Sequence, residues 1–96
     1  MIISFGDKTT SALYHGLKSS RVRRLPAQIV TSAQYKLDIL NAAQFLDDLR
    51  SPPGNRLESL SGDLEGFYSI RINAQWRIIF RWQGSNAADV LIVDYH

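Results

Sequence analysis

The chain reads as a two-layer α+β domain, an antiparallel sheet with helices packed on one face. Three observations predict this. Apolar residues recur at intervals of three or four between Ile29 and Leu46, the spacing of one helix face. Beyond the breaker Ser51-Pro52-Pro53-Gly54 the apolar period falls to two, the spacing of a strand. A length of 96 residues with 45% hydrophobic content allows one modest core, hence a single domain over residues 1–96.

Taken in order, residues 2–5 read as a short strand. Asp7 is placed to cap a helix that carries Ala12 and Leu13 and stops at Gly16. Residues 18–24, Lys-Ser-Ser-Arg-Val-Arg-Arg, hold four positive charges without periodicity and read as an exposed, mobile loop. Pro26 suits the first turn of a second helix. In that helix Ile29 or Val30, Ala33, Leu37, Leu40, Ala43 or Gln44, and Leu46 form the buried stripe. Lys36, Asp38, Asn41, Asp47 and Asp48 fall mostly outside it, and the proline pair ends it. Strands are then expected at 57–60, 67–72, 76–82 and 89–94, separated by turns at 61–63, 73–75 and 83–88.

The central hairpin fixes its own register. With a three-residue loop, Ile72 faces Trp76, Arg71 faces Arg77, Ile70 faces Ile78 and Tyr68 faces Phe80. One sheet face is then apolar, and the other carries Phe67, Ser69, Arg71, Arg77, Ile79 and Arg81. A two-residue loop would mix the two sets, so the hydrophobic pattern selects the first register. It sets two like charges opposite each other, which alone is unfavourable. An anion over the pair, with phosphate the obvious candidate, would offset that. Pairing of one or both arginines with Glu58, Glu65 or Asp94 is the structural alternative.

Composition narrows the chemistry. With no cysteine and only His15 and His96, thiolate nucleophiles and zinc–thiolate sites are excluded, and neither a metal nor another cofactor is expected. No apolar run approaches the roughly 18 residues of a membrane span, and the N-terminus lacks a leader pattern. A soluble, cytoplasmic protein without a membrane partner is expected. Eight of the eleven basic residues are arginines, whose planar fork suits phosphate, although a net charge of +2 also serves solubility alone.

The apolar run Val90-Leu91-Ile92-Val93 leads into Asp94-Tyr95-His96. A histidine can give or take a proton near neutrality, and a tyrosine can stack on a base or donate to a phosphate oxygen. With Arg77 these are the parts needed to cleave RNA through its own 2′-hydroxyl, a reaction that calls for no metal. In a regular strand Asp94 and His96 point one way and Tyr95 the other, so all three meet only if the strand ends near residue 94. A frayed end for His96 and a core role for Tyr95 are the alternatives. His15, near the end of the first helix, is accounted for by the helix dipole.

The segment Gly62-Asp63-Leu64-Glu65-Gly66-Phe67-Tyr68-Ser69-Ile70, followed by Trp76-Arg77-Ile78 and the final Asp94-Tyr95-His96, resembles the HigB toxins of the RelE/ParE superfamily. The stretch Leu49-Arg50-Ser51-Pro52-Pro53-Gly54-Asn55-Arg56-Leu57-Glu58 is similar to the GraT-type branch. This resemblance covers essentially the whole chain. It implies a RelE-like (microbial RNase-like) fold and a ribosome-dependent messenger RNA endonuclease. It also implies a HigA-like helix-turn-helix antitoxin through which operator DNA is bound. By position, Arg77 would contact the scissile phosphate, and Asp94, Tyr95 and His96 would form the terminal site, with His96 as general acid or base. Where related toxins carry a lysine before the Gly-Asp turn, this chain has Ser61, which brings no positive charge. Arg56, Arg71 or Arg81 would have to take over, and the opposed pair favours Arg71. Two other functions stay open: a ParE-like gyrase inhibitor without catalysis, and a non-toxic nucleic-acid-binding module. Residues 18–24 could contact ribosomal RNA, dock the antitoxin, or merely link the helices.

Overall fold

A computed structural model describes residues 1–94. Three helices, α1 (Lys8–Tyr14), α2 (Ser20–Arg23) and α3 (Ala27–Ala42), precede four strands. These are β1 (Glu58–Ser59), β2 (Phe67–Arg71), β3 (Trp76–Gln83) and β4 (Asn86–Asp94). Short 3-10 turns occupy Leu46–Arg50, Pro53–Asn55 and Gly62–Leu64. The strands form one antiparallel sheet in sequence order, the α+β class expected.

Residues 2–5 do not make a regular strand. They run parallel to β4 through isolated bridges, Ile2 to Ala87 and Phe5 to Val90. The cause lies in β4, whose pairing with β3 shifts between Ile79 and Arg81. There Asp89 takes a positive φ of 52° and gives its N–H to the Ser4 hydroxyl at 2.8 Å. This bulge interrupts any continuous ladder on that edge.

In the helical layer Asp7 caps α1 as expected, its Oδ1 accepting the Thr10 N–H at 2.7 Å. Thr10 Oγ1 in turn accepts the Ile92 N–H at 3.0 Å and ties α1 to β4. Residues 18–24 are no irregular loop: they contain α2, with the Ser19 side chain accepting the Arg21 N–H at 3.2 Å. Pro26 stands at the N-cap of α3, one residue ahead of its first turn. That helix also ends sooner than its stripe suggests. Ala43 is extended, and Asp48 Oδ2 accepts the N–H groups of Gln44 and Phe45 at 3.1 and 3.0 Å. The carboxylate thereby nucleates a new 3-10 turn, which keeps a three-residue spacing and carries Leu49 into the core.

The core joins Leu13, Ala33, Leu37, Leu40 and Leu49 to Ile70, Ile78, Phe80, Ala87 and Val90 of the sheet. Burial of a side chain such as Leu37 contributes about 2 kcal/mol. The β2–β3 register is the expected one, with Arg71 opposite Arg77, Ile70 opposite Ile78 and Tyr68 opposite Phe80. Asn73 closes the hairpin, its Oδ1 accepting the N–H groups of Gln75 and Trp76, both at 2.8 Å. Among the described residues no helix is long and apolar enough to cross a membrane.

Candidate active site

Because β2 and β3 hold this register, alternate side chains turn to the sheet face away from the helices. β1 extends the same face, since Glu58 lies opposite Ser69. Glu58, Ser69, Arg71 and Arg77 therefore meet there. The guanidinium of Arg77 donates through Nη1 to Ser69 Oγ at 2.8 Å and through Nη2 to Glu58 Oε1 at 3.3 Å. Ser69 is fully buried, Arg77 keeps 12% of its side chain exposed and Glu58 keeps 50%. Of the pairings left open for the arginines, Glu58 with Arg77 is thus present.

Arg71, half-buried and directly opposite Arg77, forms no ion pair among the described residues. Arg81 sits at the far end of the face. Its Nε lies 3.5 Å from Asp89 Oδ2, and its guanidinium lies over the Phe67 ring, 4.3 Å from the centroid. Arg81 is thus held apart from the Arg71–Arg77 pair. Arg56 is exposed at the turn before β1, in a left-handed conformation with φ 46°. Ser61 precedes the 3-10 turn Gly62–Leu64, its side chain making no capping bond, and is exposed.

β4 carries the chain to Asp94, the last described residue. The register puts Val93 opposite Arg77 and Asp94 opposite Trp76. Alternation thus assigns Asp94 to the face of Trp76 and Ile92, not to that of Arg77. Its Oδ2 accepts from Gln75 Nε2 at 3.1 Å. Tyr95 and His96 lie outside the described residues. His15 is remote from this site: its Nδ1 lies 2.8 Å from the Ser11 carbonyl oxygen, beside the rings of Phe5 and Tyr14. Among the described residues no group of His, Asp and Glu could hold a metal ion.

Sequence reasoning did not assign Ser69 to Arg77, nor Asp89 and Phe67 to Arg81, nor Gln75 to Asp94. The Phe67–Arg81 contact was within reach, because the hairpin register already sets these residues opposite each other. Asp89 was not, since its approach depends on the bulge.

A face of opposed arginines beside the end of the last strand can bind a phosphodiester and stabilise added negative charge on it. Comparisons with known proteins agree with the fold and extend it. Residues 3–96 match the model of the HigB-like toxin family, described as the RelE-like toxin of type II toxin–antitoxin system HigB. Toxin HigB-1 of Vibrio cholerae serotype O1 is 48% identical over 82 residues, covering 85% of this chain and 84% of that protein. Endoribonuclease HigB of Proteus vulgaris is 33% identical over 96 residues, covering 100% of both. In structure, a chain of the heterotetrameric YoeB–YefM toxin–antitoxin complex from Staphylococcus aureus superposes with a TM-score of 0.61. It is 16% identical, and the match covers 100% of this chain and 98% of that one. The YoeB/ParE toxin from Agrobacterium tumefaciens gives 0.52 at 19% identity, covering 100% and 99%. Together with the sheet and its arginine face, these matches establish that the chain belongs to the HigB family of RelE-like toxins of type II toxin–antitoxin systems.

Proposed function

We propose that this toxin is an endoribonuclease that cuts messenger RNA on the ribosome, using the 2′-hydroxyl of the substrate as the nucleophile. A base removes the 2′ proton while the 2′-oxygen forms a bond to phosphorus. The bond from phosphorus to the 5′-oxygen then breaks, and an acid returns a proton to that oxygen. The products are a 2′,3′-cyclic phosphate and a 5′-hydroxyl. Arg77 and Arg71 meet the negative charge that gathers on the phosphate, with Arg71 supplying what Ser61 does not. His96 moves a proton, and Asp94 and Tyr95 position substrate or assist, which requires the chain to turn after Asp94. Arg56 and Arg81 bind flanking phosphates.

The observation that carries this reading is the pair Arg71–Arg77, set opposite each other on the face away from the helices, with Arg77 anchored. Glu58 offsets the charge of Arg77 within the sheet, whereas Arg71, opposite it, forms no ion pair among the described residues and is the cation a phosphate would meet. A toxin of this family has an antitoxin as its partner. We assign it a HigA-like helix-turn-helix antitoxin, through which operator DNA is reached. The ribosome aligns the message, a role suited to so small a set of groups.

Expression without antitoxin tests the reading. Wild type arrests growth and creates new 5′ ends in translated messages. Arg77→Ala and His96→Ala each lower cleavage by on the order of a hundredfold. Arrest with intact messages and failing DNA supercoiling would establish a gyrase inhibitor instead, and no arrest a non-toxic binding module.

A further inference from the structure

We propose that Arg81 and Phe67 form a stacking subsite for one unpaired nucleobase of the message, beside the nucleotide that is cut. This rests on the reading above and extends the phosphate contact given there to Arg81. The guanidinium carbon of Arg81 lies 4.3 Å from the centroid of the Phe67 ring, and Nε lies 3.5 Å from Asp89 Oδ2. Ring and carboxylate thus hold the guanidinium at two points, and 43% of the side chain still meets solvent. A guanidinium plane backed by an aromatic ring is a surface on which a base can stack.

Three features argue for a ligand over plain stability. Phe67 shares the sheet face away from the helices and is not among the apolar residues packed on the core, so the core does not need it. An ion pair and a cation–π contact this exposed are weak sources of stability. Yet the backbone on both sides takes uncommon conformations that accommodate them. Asp89 stands at φ 52° in the bulge of β4, which brings its carboxylate to Arg81. Gly66, at φ 92°, has no side chain, and a Cβ there would stand 3.0 Å from Arg81 Nη1. Position then decides the ligand. Arg81 follows Arg77 by four strand residues on the same face, about 13 Å at the rise of a strand. That is too far for the scissile phosphate and suits a neighbouring nucleotide. Asp89 offsets part of the charge of Arg81, so a flat face is what this site offers beyond a cation. Stacking of this kind accepts any base.

The test is single-turnover cleavage of ribosome-bound messenger RNA by the purified full-length toxin, held below saturation. An abasic ribose replaces the nucleotides flanking the cut, one position at a time. At one position the missing base should slow wild-type cleavage by about tenfold, the scale of losing one stacked base. Arg81→Lys keeps the charge and loses the plane. It should slow cleavage of the intact message by about tenfold and abolish the sensitivity at that one position. Phe67→Leu stays apolar but no longer backs the plane, and should lower the same sensitivity. Wild-type cleavage of the intact message by Arg81→Lys overturns the inference, and so does full sensitivity in Phe67→Leu. Losses from Arg81→Lys and from the missing base that simply multiply overturn it as well, as does indifference of the wild type to every abasic position. All of these would leave the proposed function intact. A wild-type toxin that cuts no message on the ribosome overturns that function, and the inference with it.

Discussion

The side-chain amide of Asn55, fully buried, stitches together three parts of the helical side. Nδ2 donates to the carbonyls of Leu49 and Ser51 at 3.2 and 3.3 Å, and Oδ1 accepts from the Lys36 ammonium. Lys36 read as a solvent-facing position of its helix, yet it is half-buried, and burial holds its pKa below the ordinary value of 10.5. Asn55→Ala strands two carbonyls and a partly desolvated charge. The expected loss is about 3 kcal/mol, measured by urea unfolding. The pH dependence has a definite sign. With its folded-state pKa depressed, Lys36 binds a proton more weakly in the folded chain than in the unfolded one. Its burial cost is fully present below the folded pKa and is relieved as pH rises toward 10.5. The stability of wild type relative to Lys36→Met should therefore rise with pH in that window, measured by urea titrations at stepped alkaline pH.

Among the elements, the hairpin was the most legible and the N-terminal segment the least. Alternation from Tyr68 to Phe80 admits one register only, because a slip by one residue would bury arginines, and the observed pairing is that register. Juxtaposition of Arg71 and Arg77 followed at once. The anchoring by Glu58 did not, since residues 57–60 could have been a strand of any register and only two of them pair. α3 ended early for a reason a spacing rule does not see: a 3-10 turn keeps apolar residues three apart, so the stripe ran on through a change of helix type. α2 is too short and too basic to show a period. The N-terminal segment is held less by strand propensity than by close approach. A Cβ on Gly6 would stand 2.5 Å from Leu91 Cγ and 2.7 Å from its Cδ2, too near for any real side chain. Gly6→Ala should cost about 2 kcal/mol and speed amide exchange at Gly6 and Val90, which now bond to Val90 and Ser4 carbonyls. Unchanged exchange at both amides would show the approach to be slack.

For the whole molecule, the two sheet faces divide the labour. One is covered by α1 and α3 and supplies the core. The other carries the arginines, and β4 leads the chain from that sheet into Tyr95 and His96. The roles proposed for those two residues make a steric prediction. A folded domain fused after His96 should reduce messenger cleavage by more than about tenfold while leaving the thermal midpoint within a few degrees of wild type. A fully active fusion would remove the terminal residues from the reaction.

Residues 2–5 bond to β4, whose strand spans Asn86–Asp94. Synthesis runs from N- to C-terminus, so residues 2–5 are made first and must wait for a partner made more than eighty residues later. Val90, which lies at the centre of the core and also receives that segment, is equally late. A nascent copy therefore lacks the last strand of its sheet until translation has passed it. The toxin accordingly closes neither its sheet nor its core until the ribosome that builds it has read through β4.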